Sequence, residues 1–319
     1  MTTIAFLGLG HMGGPMAANL VKAGHRVIGF DMMPAALEAA AAAGIEVVAS
    51  GQDAVRSVGS GGVVFTMFPS GRHVIDAYRG TETEPGLLAV AAPGTLFVDS
   101  STIAVDEARA AHALAEAAGH RSLDAPVSGG VVGAENATLA FMVGGGDADF
   151  AEALPLLETM GRRIVHCGGA GLGQAAKICN NMILGISQIA VAEAFVLGER
   201  LGLTHQALFD VASNASGQSW ALTTNCPVPG PVPTSPANRD YQPGFAGTLM
   251  SKDLGLAEQA IDLTGVDAKL GLMAHEIYKE FAAGAGAGQD FSGIINTVRA
   301  QSTPAPDQLS SSMVREGAA

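Results

Sequence analysis

Along the first half of the chain, short unbroken apolar runs alternate with stretches whose apolar residues recur at helical spacing. TIAFLGLG is such a run, ending in glycines, and GGPMAANLVKAG follows it with a helical period that closes at Gly24. RVIGFD predicts a second strand. The same reading predicts a helix over 34–43, a strand in IEVVA, a short helix from Asp53, and strands in VVFTMF and TLFVDS. The helix VDEARAAHALAEAAG, the strands SLDAPV and LAFMVGG, the helix DFAEALPLLETMG and the strand RIVHC complete the series. Strands that are apolar throughout are buried on both faces, so this alternation predicts an α/β fold, a doubly wound parallel sheet with helices on either side.

The period changes after Gly173. No strand signal interrupts 174–200, and a helix of that length extends roughly 40 Å. It is apolar on most faces, which predicts burial in an all-α C-terminal domain or against another subunit, and a homodimer or homotetramer would bury it most easily. Shorter helical patterns cover 205–213, 251–264 and 270–283. Between them CPVPGPVPTSPANRDYQPGF is too rich in proline for helix or central strand, and leaves open an ordered wrap or a disordered loop. The resulting division is a sheet domain over 1–165, an all-helical domain over 166–300 that begins with the long interdomain helix, and a flexible tail over 301–319.

At 48% hydrophobic and 15% charged residues the chain reads as a soluble globular enzyme. Its net charge of −13, without clusters of Lys and Arg, argues against nucleic acid and anionic membranes as partners. The longest apolar run, 182–197, is broken by Ser187, Gln188 and Glu193 and falls short of the roughly 20 residues that span a bilayer. The first strand begins almost at Met1, so no targeting segment is expected. Cys167, Cys179 and Cys226 are too scattered for a disulfide framework, and a reducing cytoplasm is the expected location. The sequence carries no HExxH, no GxSxG and no carboxylate pair spaced around a histidine cluster, so no metal is expected.

GLGHMG stands where a dinucleotide turn stands, after a strand and opening a helix. Gly8 would make the turn, Gly10 would admit a pyrophosphate to the backbone, and Gly13 would let helix and strand pack, with His11 and Met12 in the variable positions. Asp31 closes the second strand 23 positions after Gly8, near the spacing of an acid that accepts hydrogen bonds from the adenosine ribose. Met32 and Met33 follow, where a 2′-phosphate would want Arg. An N-terminal Rossmann-like domain that binds NAD is therefore expected, against the plainer reading of a structural glycine turn. In DAPVSGGVVGAENATLAFMVGG, Ser128, Gly129 and Gly130 follow a strand and offer a hydroxyl and unobstructed amides to a carboxylate, the alternative being a tight turn.

Between Arg163 and Glu193 the only formally charged side chain is Lys177. An ammonium among so much Ala, Ile, Leu and Met is costly to desolvate, and burial favours the neutral, basic amine, so Lys177 is a candidate general base. Snorkelling to the surface is the alternative. Asn181, four residues on, shares its helix face and would orient a substrate hydroxyl or else bond to another helix, while Asn180 lies about 60° round on the other side. Gly168, Gly171 and Gly173 would let this helix start close to the sheet. His166, Cys167 and Cys179 read as structural, and Asp99, Asp124 and Asp253 as capping, turn or orienting groups.

These stretches together resemble the β-hydroxyacid dehydrogenases, most closely the 3-hydroxyisobutyrate dehydrogenase branch. The resemblance runs from IAFLGLGHMGGPMAANL through VDSSTI, DAPVSGGVVGA and GLGQAAKICNNMILG to SPANRDYQPGFAGTLMSKDLGLA. It implies Lys177 as the catalytic residue, Asn181 at the reacting hydroxyl, and Ser128, Gly129 and Gly130 at the substrate carboxylate. It also implies Phe68, Pro69 and Thr102 against the cofactor and Lys252 near the nicotinamide. Trp220 would line the pocket in this branch, whereas the residue by itself reads as a core aromatic. His73 stands where the family often has Asn, which leaves its role open.

The activity so implied is NAD-dependent oxidation of 3-hydroxyisobutyrate to methylmalonate semialdehyde in valine catabolism, with Lys177 taking the hydroxyl proton. Another β-hydroxyacid enzyme such as a tartronate semialdehyde reductase, or a catalytically silent nucleotide-binding module of the same fold, are the alternatives. No basic cluster follows DAPVSGG, which argues against a phosphorylated sugar acid, and retention of Lys177 argues against imine reduction.

Overall fold

The computed structural model describes residues 1–303, so 304–319 of the expected tail lie outside the described residues. The described residues form two compact units, Met1–Asn180 with Gln259–Gly265, and Asn181–Glu258 with 266–303.

The first unit is built on a nine-stranded sheet. Its strands are β1 (Thr3–Leu7), β2 (Arg26–Phe30), β3 (Glu46–Val47), β4 (Val63–Thr66) and β5 (Leu96–Asp99), then β6 (Arg121–Asp124), β7 (Val127–Ser128), β8 (Leu139–Gly144) and β9 (Gly161–Gly168). The helices between them are α1 (Gly13–Lys22), α2 (Pro34–Ala42), α3 (Gly51–Arg56) and α4 (Gly71–Arg79), followed by α5 (Leu87–Val90), α6 (Val105–Ala117), α7 (Gly130–Glu135) and α8 (Asp147–Leu157). Strands pair in the order β3-β2-β1-β4-β5-β6, all parallel, and the sheet continues through β8, which pairs with both β7 and β9. This is the doubly wound arrangement, with the strand order reversing between β1 and β4.

Period-two alternation assigns each strand residue to one of two cores. Phe6, Phe65, Leu96 and Val98 face one apolar cluster, while their neighbours Ala5, Leu7, Val64 and Phe97 face the other. Phe6 stacks on Phe65 at 5.6 Å, and Tyr78 meets Phe97 edge-on at 5.2 Å. Several local readings change: SLDAPV divides into β6 and β7, and α4, α5 and α7 form where no helix was expected. The strand expected in IEVVA shrinks to the two exposed residues of β3, because it is an edge strand with one neighbour. LAFMVGG runs antiparallel to β6 and β7, since the link from Ser128 to Leu139 is too short for a crossover that would return the chain parallel.

The second unit is helical. α9 (Leu172–Arg200) is one 29-residue helix, roughly 44 Å long, whose first turns belong to the first unit. α10 (His205–Ala212), α11 (Trp220–Thr223), α12 (Gly247–Thr264), α13 (Lys269–Ala283) and α14 (Ile294–Gln301) follow. Ile189, Phe195, Met250, Leu254, Tyr278, Phe281 and Phe291 form its core. A Cβ on Gly185 would touch Leu254 at 3.1 Å, so glycine sets how closely α9 and α12 pack. By length and composition α9 would suffice to cross a membrane, longer than 182–197 implied, because the helix continues through Ser187, Gln188 and Glu193. Its residues Ala192, Phe195 and Val196 are packed in the core, which is the behaviour of a core helix.

The proline-rich stretch 226–245 is an ordered wrap anchored at two points, Cys226 to Val228 and Ser235 to Ala237, which are buried while the residues between them lie nearer the surface, and it includes a 3-10 turn over Pro236–Arg239. The buried carboxylate of Asp290 holds it in place, accepting from the Gly244 and Phe245 amides at 3.1 and 3.0 Å, from Asn225 Nδ2 at 3.1 Å and from Ser292 Oγ at 2.7 Å. Removing that acceptor strands several buried donors. Asp290→Ala is therefore expected to lower stability by about 3 kcal/mol, read by urea unfolding, and a loss too small to measure would contradict this role.

Candidate active site

The turn after β1 requires glycine at two points. Gly8 has φ +90° and gives its N–H to Phe30 O at 3.0 Å, and a side chain there would run into the Met67 carbonyl. A Cβ on Gly13 would collide with the carbonyl of Gly8, so the start of α1 lies directly on the turn. Gly10 meets nothing within 4 Å, which leaves that side of the turn open to a phosphate group. Asp31, just past β2, accepts from Leu9 N at 2.7 Å through Oδ2 and from Met33 N at 2.8 Å through Oδ1. Its carboxylate is thus fixed at the strand end with Met32 and Met33 exposed beside it, and these residues fit a dinucleotide. His11 is exposed and Met12 half-buried. His73 lies on α4, its Nδ1 2.8 Å from the hydroxyl of Ser70 at the helix cap.

Phe68 and Pro69 follow β4, with the Phe68 ring 3.3 Å from where a Cβ on Gly8 would stand. The Phe68 N–H is received by Ser101 Oγ at 2.8 Å, and Ser101 Oγ donates in turn to Asp99 Oδ1 at 2.6 Å. Thr66 Oγ1 donates to the same oxygen at 2.7 Å, whereas Asp99 Oδ2 is buried with no partner among the described residues. Burial pushes the Asp99 carboxyl up to about 6, against hydrogen bonds from Ser101 and Thr66 that favour its charge. Thr102, half-buried, sits in the loop directly after Ser101.

The start of α9 is fastened at the next strand end. Asp124 Oδ1 accepts from Gly171 N at 2.8 Å and Oδ2 from Gln174 N at 2.9 Å, while His112 Nε2 lies 3.1 Å from Oδ1. Glycine at 173 is required here, because a Cβ would run into the carbonyls of Met142 and Asp124. Lys177 then follows in the next turn, 7% exposed, with Nζ donating to Ser128 Oγ at 3.1 Å. Gly129 and Gly130 adopt φ +133° and +62°, a turn of the chain after β7 that residues with a Cβ rarely make. The structure thus brings Lys177 and Ser128 together and keeps Lys177 from snorkelling.

In the second unit, Asn181 Nδ2 donates to Asp253 Oδ2 at 2.6 Å, both groups being buried, and Lys252 is half-buried on α12. Trp220 opens α11 and is 52% exposed, so its reading as a core aromatic is corrected. Cys179 is also exposed. Glu258, His275 and Glu276 bring one ligand atom each within 4.8 Å, a grouping of two helices that sequence spacing does not display. His275 Nδ1 is 2.6 Å from Glu258 Oε2, and Glu276 pairs with Lys279 at 3.3 Å. Sequence reasoning also missed Gln174, whose partners are remote in the chain, and Ser101, which links the nearby Asp99 to the distant Phe68; the one signal was a polar residue set among the glycines and alanines of GLGQAAK.

Residues 3–169 match the family described as the NAD binding domain of 6-phosphogluconate dehydrogenase, and 171–298 match the NAD-binding domain of NADP-dependent 3-hydroxyisobutyrate dehydrogenase. A Mycobacterium tuberculosis protein named probable 3-hydroxyisobutyrate dehydrogenase is 58% identical over 94% of this chain and 99% of its own length. A Pseudomonas aeruginosa NAD-dependent L-serine dehydrogenase is 44% identical over 92% of this chain and 96% of its own. The solved structure of Mycobacterium tuberculosis 3-hydroxyisobutyrate dehydrogenase with L-serine superposes with a TM-score of 0.88 at 58% identity, covering 94% of this chain and 99% of that one.

Asp99 supplies a test of the polar packing beneath this site. It keeps its proton in the fold up to about pH 6, whereas an ordinary aspartate releases it near 3.8. Between those values the folded chain binds more protons than the unfolded one, so this group's contribution to stability falls as pH rises, by up to about 1.4 kcal/mol per pH unit. Urea unfolding from about pH 4 to about pH 6 should therefore show the protein losing stability relative to Asp99→Asn, and parallel profiles would contradict the assignment.

Proposed function

As a member of the 3-hydroxyisobutyrate dehydrogenase family the chain is a hydroxyacid dehydrogenase, and we propose that its substrate is 3-hydroxyisobutyrate, oxidised to methylmalonate semialdehyde with NAD. Valine breakdown is the proposed setting, and the cytoplasm, in keeping with three unpaired cysteines, the proposed location. The observation that carries the reading is the buried Lys177 amine 3.1 Å from the Ser128 hydroxyl. In this assignment Ser128 and the amides of Gly129 and Gly130 receive the substrate carboxylate, which leaves the β-hydroxyl of a short acid within reach of Lys177 Nζ. The neutral amine takes the hydroxyl proton as the carbonyl forms. Asn181, its amide oriented by Asp253, holds the hydroxyl oxygen.

A bound nicotinamide would supply the acceptor for the hydride of the carbinol carbon. Gly8, Gly10, Gly13 and Asp31 would hold the dinucleotide, with His11, Met12, Phe68, Pro69 and Thr102 beside it, within the sheet domain 1–165. Lys252 is assigned to the nicotinamide and Trp220 to the substrate pocket, both in the second, helical unit. NAD is favoured over NADP because a fixed Asp31 carboxylate flanked by exposed methionines repels a 2′-phosphate and offers it no cation. Self-association as a homodimer or homotetramer is supported by large apolar side chains left exposed on and just after α9, Ile183, Leu197 and Leu201.

L-serine is the second reading, favoured by the serine-acting and serine-bound relatives. Serine and 3-hydroxyisobutyrate share the carboxylate and the β-carbinol and differ at the α-substituent, ammonium against methyl, so one site geometry would serve either.

A steady-state panel of small hydroxy acids should give the highest kcat/KM with 3-hydroxyisobutyrate and at least about tenfold preference for NAD. Preference for L-serine would move the assignment to the second reading, and preference for NADP would overturn the role of Asp31. Lys177→Ala should lower kcat by about three orders of magnitude with NAD affinity nearly unchanged, and the wild-type rate should rise toward basic pH. Unchanged turnover in the variant would remove the proposed base.

A further inference from the structure

Gln174 occupies a position that no chemistry above requires. It is fully buried, and its side-chain amide is used at both ends. Nε2 donates to the carbonyl of Ser101 at 2.7 Å, and Oε1 accepts the N–H of Ile103 at 3.2 Å. Those two backbone groups flank Thr102, so one amide grips the loop on either side of that residue. The main chain of Gln174 is fixed as well, through its N–H to Asp124 Oδ2 at 2.9 Å. Lys177 stands three residues further along the same helix.

We propose that Gln174 is a positioning residue that couples the Thr102 loop to the start of the helix carrying Lys177, so that dinucleotide binding and placement of the amine are linked. The inference rests on the reading of that loop as a cofactor contact. A buried amide with both of its groups engaged has little freedom to follow one partner without pulling the other. Displacement of the loop, 71 and 73 residues away in sequence at its two bonds but one side chain away in space, is thereby transmitted to the first turns of α9.

Two substitutions separate this role from mere packing. Gln174→Met keeps the volume and loses both hydrogen bonds, leaving Ser101 O and Ile103 N without their partner. Gln174→Glu has the native shape, and its protonation decides whether it can serve: the neutral acid donates to Ser101 O and accepts from Ile103 N, whereas the carboxylate turns a lone pair toward Ser101 O. The charged groups around it are Asp124, bonded to its own N–H, Asp99 behind Ser101, His112 on Asp124, and Arg109, whose Nε reaches Ala170 O at 3.5 Å. Burial and the two carboxylates favour the neutral acid at low pH.

Dinucleotide affinity measured by calorimetry, which needs no turnover, provides the readout, with kcat measured alongside and the wild type as control at each pH. Gln174→Glu should bind NAD as the wild type does at about pH 6 and about tenfold more weakly than it at about pH 9, and its kcat should fall in step. Gln174→Met should bind about tenfold more weakly at both. Wild-type affinity in Gln174→Met would overturn the proposal. Should that variant not fold, the Glu variant decides by itself, and an affinity that tracks the wild type at both pH values overturns it. Thr102→Ala distinguishes the two levels: unchanged affinity there removes the loop reading, whereas weakened affinity there with unaffected Gln174 variants removes the coupling alone.

Discussion

Two backbone N–H groups at the start of α9, those of Gly171 and Gln174, end on the carboxylate of Asp124, and the position of Lys177 follows from that pair. A helix N-terminus has N–H groups without intrahelical partners and a partial positive charge, so a buried carboxylate there satisfies both needs at once. The approach is possible because neither chain segment carries a side chain at the contact. A Cβ on Gly144 would meet Asp124 Oδ1 at 2.5 Å, and one on Gly173 would meet the Asp124 carbonyl at 2.7 Å. With the helix start seated against β6, its next turn carries Lys177 past the end of β7, where Ser128 waits at 3.1 Å.

Parallel pairing explains why so many polar groups gather at one edge of an apolar sheet. Register aligns Thr66 with Asp99 and Asp99 with Asp124 across β4, β5 and β6, so three polar side chains stand in a row at the carboxyl ends of adjacent strands. Beyond this row lie the loops that hold Phe68, Ser101 and the start of α9, and beside it the glycine turn of β1. Apolar burial fixes the strands, and the strands then impose distances on the polar groups. Two carboxylates in neighbouring strands cannot share this interior on equal terms. Asp124 is met by two amides and His112, whereas Asp99 keeps one oxygen without a partner among the described residues and is pushed up by burial, with the charge of Asp124 adding to the effect.

Much of this was legible in the sequence for a physical reason. Most strands of the first unit and its longer helices α1, α6 and α8 follow from apolar periodicity, whereas α4, α5 and α7 were not read from it; the glycines of GLGHMG follow from the turn that a strand-to-helix junction needs. Lys177 stood out because charge is costly in an apolar wall, and Ser128 because two glycines follow a strand. Gln174 did not stand out, since its partners lie 71 and 73 residues away and a lone amide carries no periodic signal. The antiparallel course of β8 depended on the length of a connection rather than on pattern. Trp220 is exposed although aromatic side chains usually seek a core, and Asn181 uses its amide on Asp253, a partner 72 residues away that spacing could not reveal.

The central claim is that the amine of Lys177 and the hydroxyl of Ser128 together receive a β-hydroxy acid. A crystal structure of the protein with NAD and an unreactive analogue of the acid measures this directly. The account predicts Lys177 Nζ at hydrogen-bonding distance, about 3 Å, from the analogue's hydroxyl, with the carboxylate on Ser128 Oγ and the following amides. An analogue bound with its carboxylate elsewhere, or with Lys177 turned away from the hydroxyl, would contradict it.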